Sequence, residues 1–339
     1  METALFLLVD GVTNGAVYGL VALSLILVYT VTRVVNIAQG EYVTLGALSF
    51  STILGGGFAP IVSLVVAGVV FFLLLDLFRG HTSSREKIGL VLRALATIAV
   101  VVAVSGLAWV SPGNYWLAAI AAVVSVSALG TVIYRATVEP VADAPAIILL
   151  IITVGVHMIM HGTTVLIWGP EPRSVPPIAD GGVLLGSVYV TYQSLFICAV
   201  SVAAMVGLYL FSERTLIGQA LQASAVNRVG AQLCGIPVRW AGQVSFGLAG
   251  AFSALSGLLL APLVTANYDM GFVMGLKGFV AAALGGIVEY PMAIVGVLFV
   301  GVVESTSAYQ FSAYREVVVF LLVIPILIWR NAVKPPRDH

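Results

Sequence analysis

Residues 212–240 read SERTLIGQALQASAVNRVGAQLCGIPVRW. This is the longest segment with helical character that is plainly not membrane-spanning, and long apolar runs flank it at 188–211 and 240–262. Leu216, Ala220, Ala223, Asn227, Gly230 and Leu233 recur at three- and four-residue steps, which puts them on one side of a helix. Ala220, Ala223, Ser224 and Gly230 carry little side-chain bulk, so another protein's backbone can approach closely. Gly235 followed by Pro237 is a stop signal, because Gly tolerates the left-handed position after a helix and Pro cannot continue one. A short small-residue helix held between two spans is shaped to fit a cleft in a cytoplasmic partner. The plainer alternative is an ordinary interfacial helix.

Working outward, composition sets the class. Of the residues, 60% are hydrophobic and 9% charged, against about 25% charged in a soluble domain. Each membrane span needs about 20 mostly apolar residues and must satisfy its own backbone bonds as a helix. The expected fold is therefore an all-α polytopic membrane protein, a single transmembrane domain over 1–339. Cys198 and Cys234 give neither a metal nor a disulfide framework. The first apolar run lacks a basic start and a small-residue cleavage site, so it reads as retained.

Apolar runs fall at roughly 5–30, 38–55, 59–78, 93–111, 115–134, 146–168, 188–211, 240–262, 272–288, 291–309 and 314–330. These give about ten or eleven spanning or partly spanning helices, and those near 40–55 and 272–288 are short and punctuated by Gly. With 212–239 cytoplasmic, so are Arg33, Arg79, Arg85, Lys87, Arg93, Arg135, Arg214, Arg228, Arg239, Arg330, Lys334 and Arg337. Only Arg173 and Arg315 then lie outside, and Lys277 lies within a span. The positive-inside bias places the N-terminus outside and the C-terminus in the cytoplasm. The loop 79–92 reads as a solvated connection, and the Pro- and Gly-rich loop 169–187 excludes regular helix.

The two halves echo each other. Asn36-Ile-Ala-Gln-Gly40 and Asn267-Tyr-Asp-Met-Gly271 each precede a short Gly-spaced span, one starting inside and the other outside. Inverted repeats of this kind place interrupted helices around a central path, although a five-residue match is short.

Polar residues inside spans are expensive and mark function by default. Asn36, Gln39 and Glu41 cluster at the start of one short span, and either line a translocation path or fix a helix terminus. Lys277 and Glu304 are either a structural ion pair or part of a gate. His157 and His161, four residues apart, share a helix face; with no third ligand nearby they read as a structural pair rather than a metal site. Asn14, among Gly11, Gly15 and Gly19, reads as a close-packing face.

These stretches carry a family resemblance. NGAVYGLVALSLILVYTVTRVVNIAQGEYVTLGA near the N-terminus, ERTLIGQALQASAVNRVGAQLCGIPV, DMGFVMGLKGFVAAALGGI and the later GVVES resemble the integral membrane permease of branched-chain amino acid ABC importers, the Liv-type H subunit. IITVG at 151–155 and IWGP at 167–170 fit the middle of that pattern. Two departures stand out. Gln39 occupies a position where the family is expected to carry His, and 56–113 looks enlarged by one inserted apolar hairpin. An even number of added spans leaves the downstream topology unchanged.

The resemblance implies a non-enzymatic permease in a bacterial cytoplasmic membrane. It implies pairing with a second homologous permease and two cytoplasmic ATPase subunits, which use ATP and Mg, and delivery of solute by an extracytoplasmic binding protein. No G-x-x-x-x-G-K-[ST] phosphate loop occurs in the sequence, and no cofactor is expected in this chain. Coupling to the ATPase would fall to 212–239, through Ala220, Ala223, Ser224, Asn227, Arg228, Gly230 and Gly235. The implied cargo is branched-chain amino acids or related small amino acids, amides or carboxylates. An ion-coupled secondary transporter would also show interrupted helices and intramembrane Glu41, Lys277 and Glu304.

Overall fold

The computed structural model describes residues 2–78, 84–142, 144–186, 188–285 and 290–321, together with Ile324, Pro325 and Ile328. The described chain is a helical bundle in which the apolar runs become helices: α1 (Glu2–Thr32), α2 (Gln39–Leu54), α3 (Ile61–Phe78), α4 (Ser84–Val110), α5 (Tyr115–Ile133), α6 (Ala146–Trp168), α7 (Tyr192–Arg214), α8 (Leu216–Val226), α9 (Arg228–Leu233), α10 (Val238–Leu260), α11 (Met270–Gly285), α12 (Tyr290–Gln310) and α13 (Arg315–Leu321). Seven of these (α1, α3, α4, α5, α6, α7 and α10) are long and apolar enough to cross a membrane. With 16 residues each, α2 and α11 extend about 24 Å at 1.5 Å per residue, less than the roughly 30 Å hydrocarbon core. They are the two short Gly-rich runs of the sequence.

The packing pairs the halves. α1 lies against α12 and α11, while α10 lies against α5 and α2, and α1 and α10 pack on each other. Exchanging α1 with α10, α2 with α11 and α5 with α12 leaves this pattern unchanged. The exchange also superimposes the Asn36–Gly40 and Asn267–Gly271 motifs. Their glycines meet at the centre: a Cβ on Gly40 would strike the carbonyl of Gly271, and a Cβ on Gly271 would strike that of Gly40. Only Gly at both positions permits this crossing. The stripe of Gly11 and Gly15 serves likewise, admitting the backbone of α12 at Val302 and Val297.

α3 and α4 pack together and against α5. The polar connection read at 79–92 is shorter than expected, because residues 84–92 belong to α4; residues 79–83 lie outside those described, as do Arg330, Lys334 and Arg337. Residues 169–186 are non-helical as expected, but they also open a two-stranded antiparallel hairpin, β1 (Gly182–Leu185) with β2 (Val188–Thr191), which alternation alone did not reveal in so short a segment. Arg173 in this loop exchanges backbone hydrogen bonds with Ala266, tying it to the connection between α10 and α11.

The single helix expected within 212–239 is broken twice before its stop. Thr215 is extended and its hydroxyl accepts a hydrogen bond from the Gly218 N–H at 3.0 Å, capping α8. Asn227 is extended as well, its Oδ1 accepting from the Gly230 N–H at 2.8 Å, capping α9. Thr and Asn satisfy the first N–H groups of a helix well, so each restarts the helix instead of continuing it. The expected stop is where it should be, with Gly235 at φ +81°.

Candidate functional site

α1 ends at Thr32, and Arg33 takes the left-handed conformation, φ 59°, that turns the chain out of the helix. Residues 33–38 then cross back into the bundle and deliver the first turn of α2. There Asn36 Nδ2 donates to Gln39 Oε1 at 3.0 Å. The Gln39 amide nitrogen lies within hydrogen-bonding distance of Ser24 Oγ (3.0 Å), Ser253 Oγ (2.8 Å) and the Ala249 carbonyl (3.1 Å). Both residues are buried, and together they lace α1, α2 and α10 at the point where the halves cross. A carboxamide suits that position because it supplies the acceptor for Asn36 and two N–H donors to share among the three oxygens around its nitrogen.

Glu41 points to the other side of α2. It is completely buried, and neither carboxylate oxygen receives a hydrogen bond. Oε1 lies 2.9 Å from His157 Nδ1 and 3.7 Å from His161 Nδ1, both on α6, yet neither ring nitrogen is aligned to bond it. One turn further, Thr44 Oγ1 is buried beside Gly271 and also lacks a partner. The ring of Phe272 sits 5.0 Å from that of His157, and the ring of Tyr268 sits 5.4 Å from that of His161. The histidine pair thus packs against Glu41 on one side and against the entry to α11 on the other. Helical spacing showed that the two histidines share a face, but only the packing of α2 against α6 brings Glu41 to them. Among the described residues, no cluster of three His, Cys, Asp or Glu side chains is arranged to hold a metal ion.

Lys277 and Glu304 form a closed pair. Lys277 Nζ donates to Glu304 Oε1 at 2.6 Å, with both side chains buried, and the ammonium stands 5.4 Å from the centre of the Tyr18 ring. Nearby, Ser305 Oγ donates to Asp10 Oδ2 at 2.6 Å, and Asn14 Nδ2 donates to the same oxygen at 3.2 Å. The five candidates for the translocation path or gate therefore fall into three places: Asn36 with Gln39, Glu41 with the histidines, and Lys277 with Glu304.

The segment 212–239 sits at the α1–α2 corner. Arg33 Nη2 donates to the Ala225 carbonyl in the last turn of α8 at 2.8 Å, and Arg228 Nη1 donates to the Ala142 carbonyl at 3.2 Å. Leu221 and Ser224 are buried, so Ser224 belongs to the inward face of α8, where it donates to the Ala220 carbonyl at 3.0 Å. Ala223, Asn227 and Gly235 are exposed, while Ala220, Arg228 and Gly230 are half-buried. The outward face also carries Leu216, Val226 and Leu233, each at least 85% exposed. It is thus a row of apolar knobs among small residues rather than the flat surface that spacing implied. At the same end, Arg135 pairs with Asp76 of α3, and Gln243 Nε2 donates to Glu139 Oε2 at 3.0 Å.

Residues 7–328 match the family described as "Branched-chain amino acid transport system / permease component". The chain is 27% identical over 330 residues to the high-affinity branched-chain amino acid transport system permease protein BraD of Pseudomonas aeruginosa, covering 95% of this chain and 92% of that protein. It is 28% identical over 326 residues to the LivH permease protein of Salmonella typhimurium, covering 94% and 91% respectively. A probable LivH of Methanocaldococcus jannaschii is 25% identical over 326 residues, covering 91% and 85%. No solved structure matches the chain.

Proposed function

Since the chain belongs to the family of branched-chain amino acid transport permease components, we propose that it moves branched-chain amino acids, or related small amino acids, amides or carboxylates, as one half of the membrane channel of an ATP-driven importer. The observation that carries this reading is the family match over nearly the whole chain, with relatives that bear the transport function in their names. The second half is a homologous permease, the energy comes from two cytoplasmic ATPase subunits, and a binding protein delivers the solute. The setting is a bacterial cytoplasmic membrane, with the N-terminus outside and the C-terminus inside.

The internal architecture supports alternating access. Two short helices crossing at Gly40 and Gly271 form the pivot around which such a bundle rocks. α8 and α9 act as the coupling element, with Leu216, Ala223, Val226 and Leu233 facing the ATPase. Arg33 passes their displacement to the corner that leads directly into Gln39 and Glu41. The α3–α4 hairpin is a peripheral insertion braced by the Asp76–Arg135 pair.

Co-purification tests this. An affinity-tagged chain retains both its partner permease and the ATPase, whereas Ala223→Trp retains the permease and loses the ATPase. The helix itself tolerates Trp, which costs well under about 1 kcal/mol relative to Ala. If Ala223→Trp and Val226→Asp both leave ATPase retention and uptake unchanged, the coupling role belongs to another segment.

A further inference from the structure

Within the reading above, and resting on it, the structure assigns a subsite: we propose that Glu41 receives the ammonium group of the amino acid as it passes through the membrane. The two buried carboxylates among the described residues make the contrast. Glu304 is settled, held by Lys277 at 2.6 Å. Glu41 is equally buried, but neither of its oxygens has a donor. A carboxylate deprived of water and left without hydrogen bonds is costly, so such a group is kept where a cation arrives to satisfy it.

The surroundings fit an ammonium ion. Thr44 Oγ1, a second buried oxygen without a partner, lies one turn along the same helix. The histidines are close to Oε1 but misaligned, so they shape the site without closing it. Phe272 lies tilted against His157 and Tyr268 meets His161 edge-on, which puts two aromatic rings at the cluster, and such rings attract organic cations. The cluster is not sealed within the chain: Phe272 is 39% exposed and His161 is partly exposed. It also adjoins the crossing of α2 and α11, where any rocking of the two halves changes the distance from Glu41 to Phe272 and Tyr268. Binding and release of the cation would then follow the same motion that opens the path.

The test uses the complete importer reconstituted in vesicles, and the same complex without binding protein for direct binding. Glu41→Gln keeps the size and removes the charge. Leucine uptake per ATP hydrolysed should fall about tenfold or more, the loss expected for a hydrogen bond to a charged group, and Glu41→Asp should restore part of it. Unchanged uptake in Glu41→Gln overturns the proposal while leaving the importer reading intact. A wild-type complex that moves no amino acid with ATP defeats that reading instead. Should Glu41→Gln fail to assemble, wild-type protein decides by competition for radiolabelled leucine. Isoamylamine, which keeps the ammonium, should displace it better than 4-methylpentanoate, which keeps only the carboxylate. The opposite order overturns the proposal. So does radioactive sodium that binds the wild-type complex and is lost in Glu41→Gln, because Glu41 would then hold a coupling ion.

Discussion

Removing the ammonium at Lys277 strands Glu304. In the wild type the two meet at 2.6 Å with only 2% and 6% of their surfaces exposed. Breaking one member of a buried pair costs about 3–5 kcal/mol, because the remaining charge is left without compensation. Replacing both members by apolar groups is often neutral. The loss of the Tyr18 contact, 5.4 Å from the ammonium, adds about 0.5–2 kcal/mol to both the single and the double variant. Lys277→Met alone should therefore be severely destabilised, a shift of a hundredfold or more in the folded fraction at about 1.4 kcal/mol per tenfold. Lys277→Met with Glu304→Met should recover most of that loss. The assay is thermal denaturation of the detergent-solubilised chain, followed by size-exclusion fluorescence, for all four members of the cycle. If the double variant is as unstable as the sum of the singles, the pair is not the unit that the geometry shows.

Three further outcomes follow from the geometry. Gly40→Val drives a branched side chain into the Gly271 carbonyl, so the crossing should open and uptake should disappear, while Gly89→Val, at a position with open space around it, should be mild in the same uptake assay. Arg33→Gly relieves about 1–2 kcal/mol of left-handed strain and loses a charged hydrogen bond worth about 1.5–3 kcal/mol. Thermal stability should therefore change little, whereas leucine moved per ATP should fall because the link to Ala225 is gone. Native Cys234 is exposed at the end of α9, and Ser174 is exposed in the loop after α6. An impermeant maleimide should label Cys234 only from the cytoplasmic side and a Ser174→Cys variant only from the other; labelling from the same side would defeat the span assignment.

Much of the fold was legible because lipid permits few alternatives. Among the described residues the long apolar runs are helical, except that the run at 188–211 begins as strand β2, and α2 and α11 declared themselves through length and Gly content. The echo between Asn36–Gly40 and Asn267–Gly271 was too short to be decisive alone, yet the two motifs meet at the centre of the bundle. Local chemistry decided what the sequence reading missed. Thr215 and Asn227 look like two more members of a helical segment until their side chains are seen capping the next helix. Ser224 looks outward by size but is turned inward because Leu221, three residues before it, is the residue that needs burial. The site was the least legible part. Glu41, His157 and Phe272 lie on three elements far apart in sequence, and no spacing rule connects them. That Glu41 lies beside His157 and His161 without an aligned hydrogen bond, set against the closed Lys277–Glu304 pair, is a property of packing alone.

The most direct test of the central claim is uptake by vesicles reconstituted with this chain, its partner permease and the ATPase, with ATP inside and leucine-loaded binding protein outside. The account predicts leucine accumulation that requires ATP, the binding protein and both permeases, and that is unaffected by collapsing proton and sodium gradients. Accumulation by vesicles containing this chain alone, driven by a proton or sodium gradient and indifferent to ATP, would contradict it.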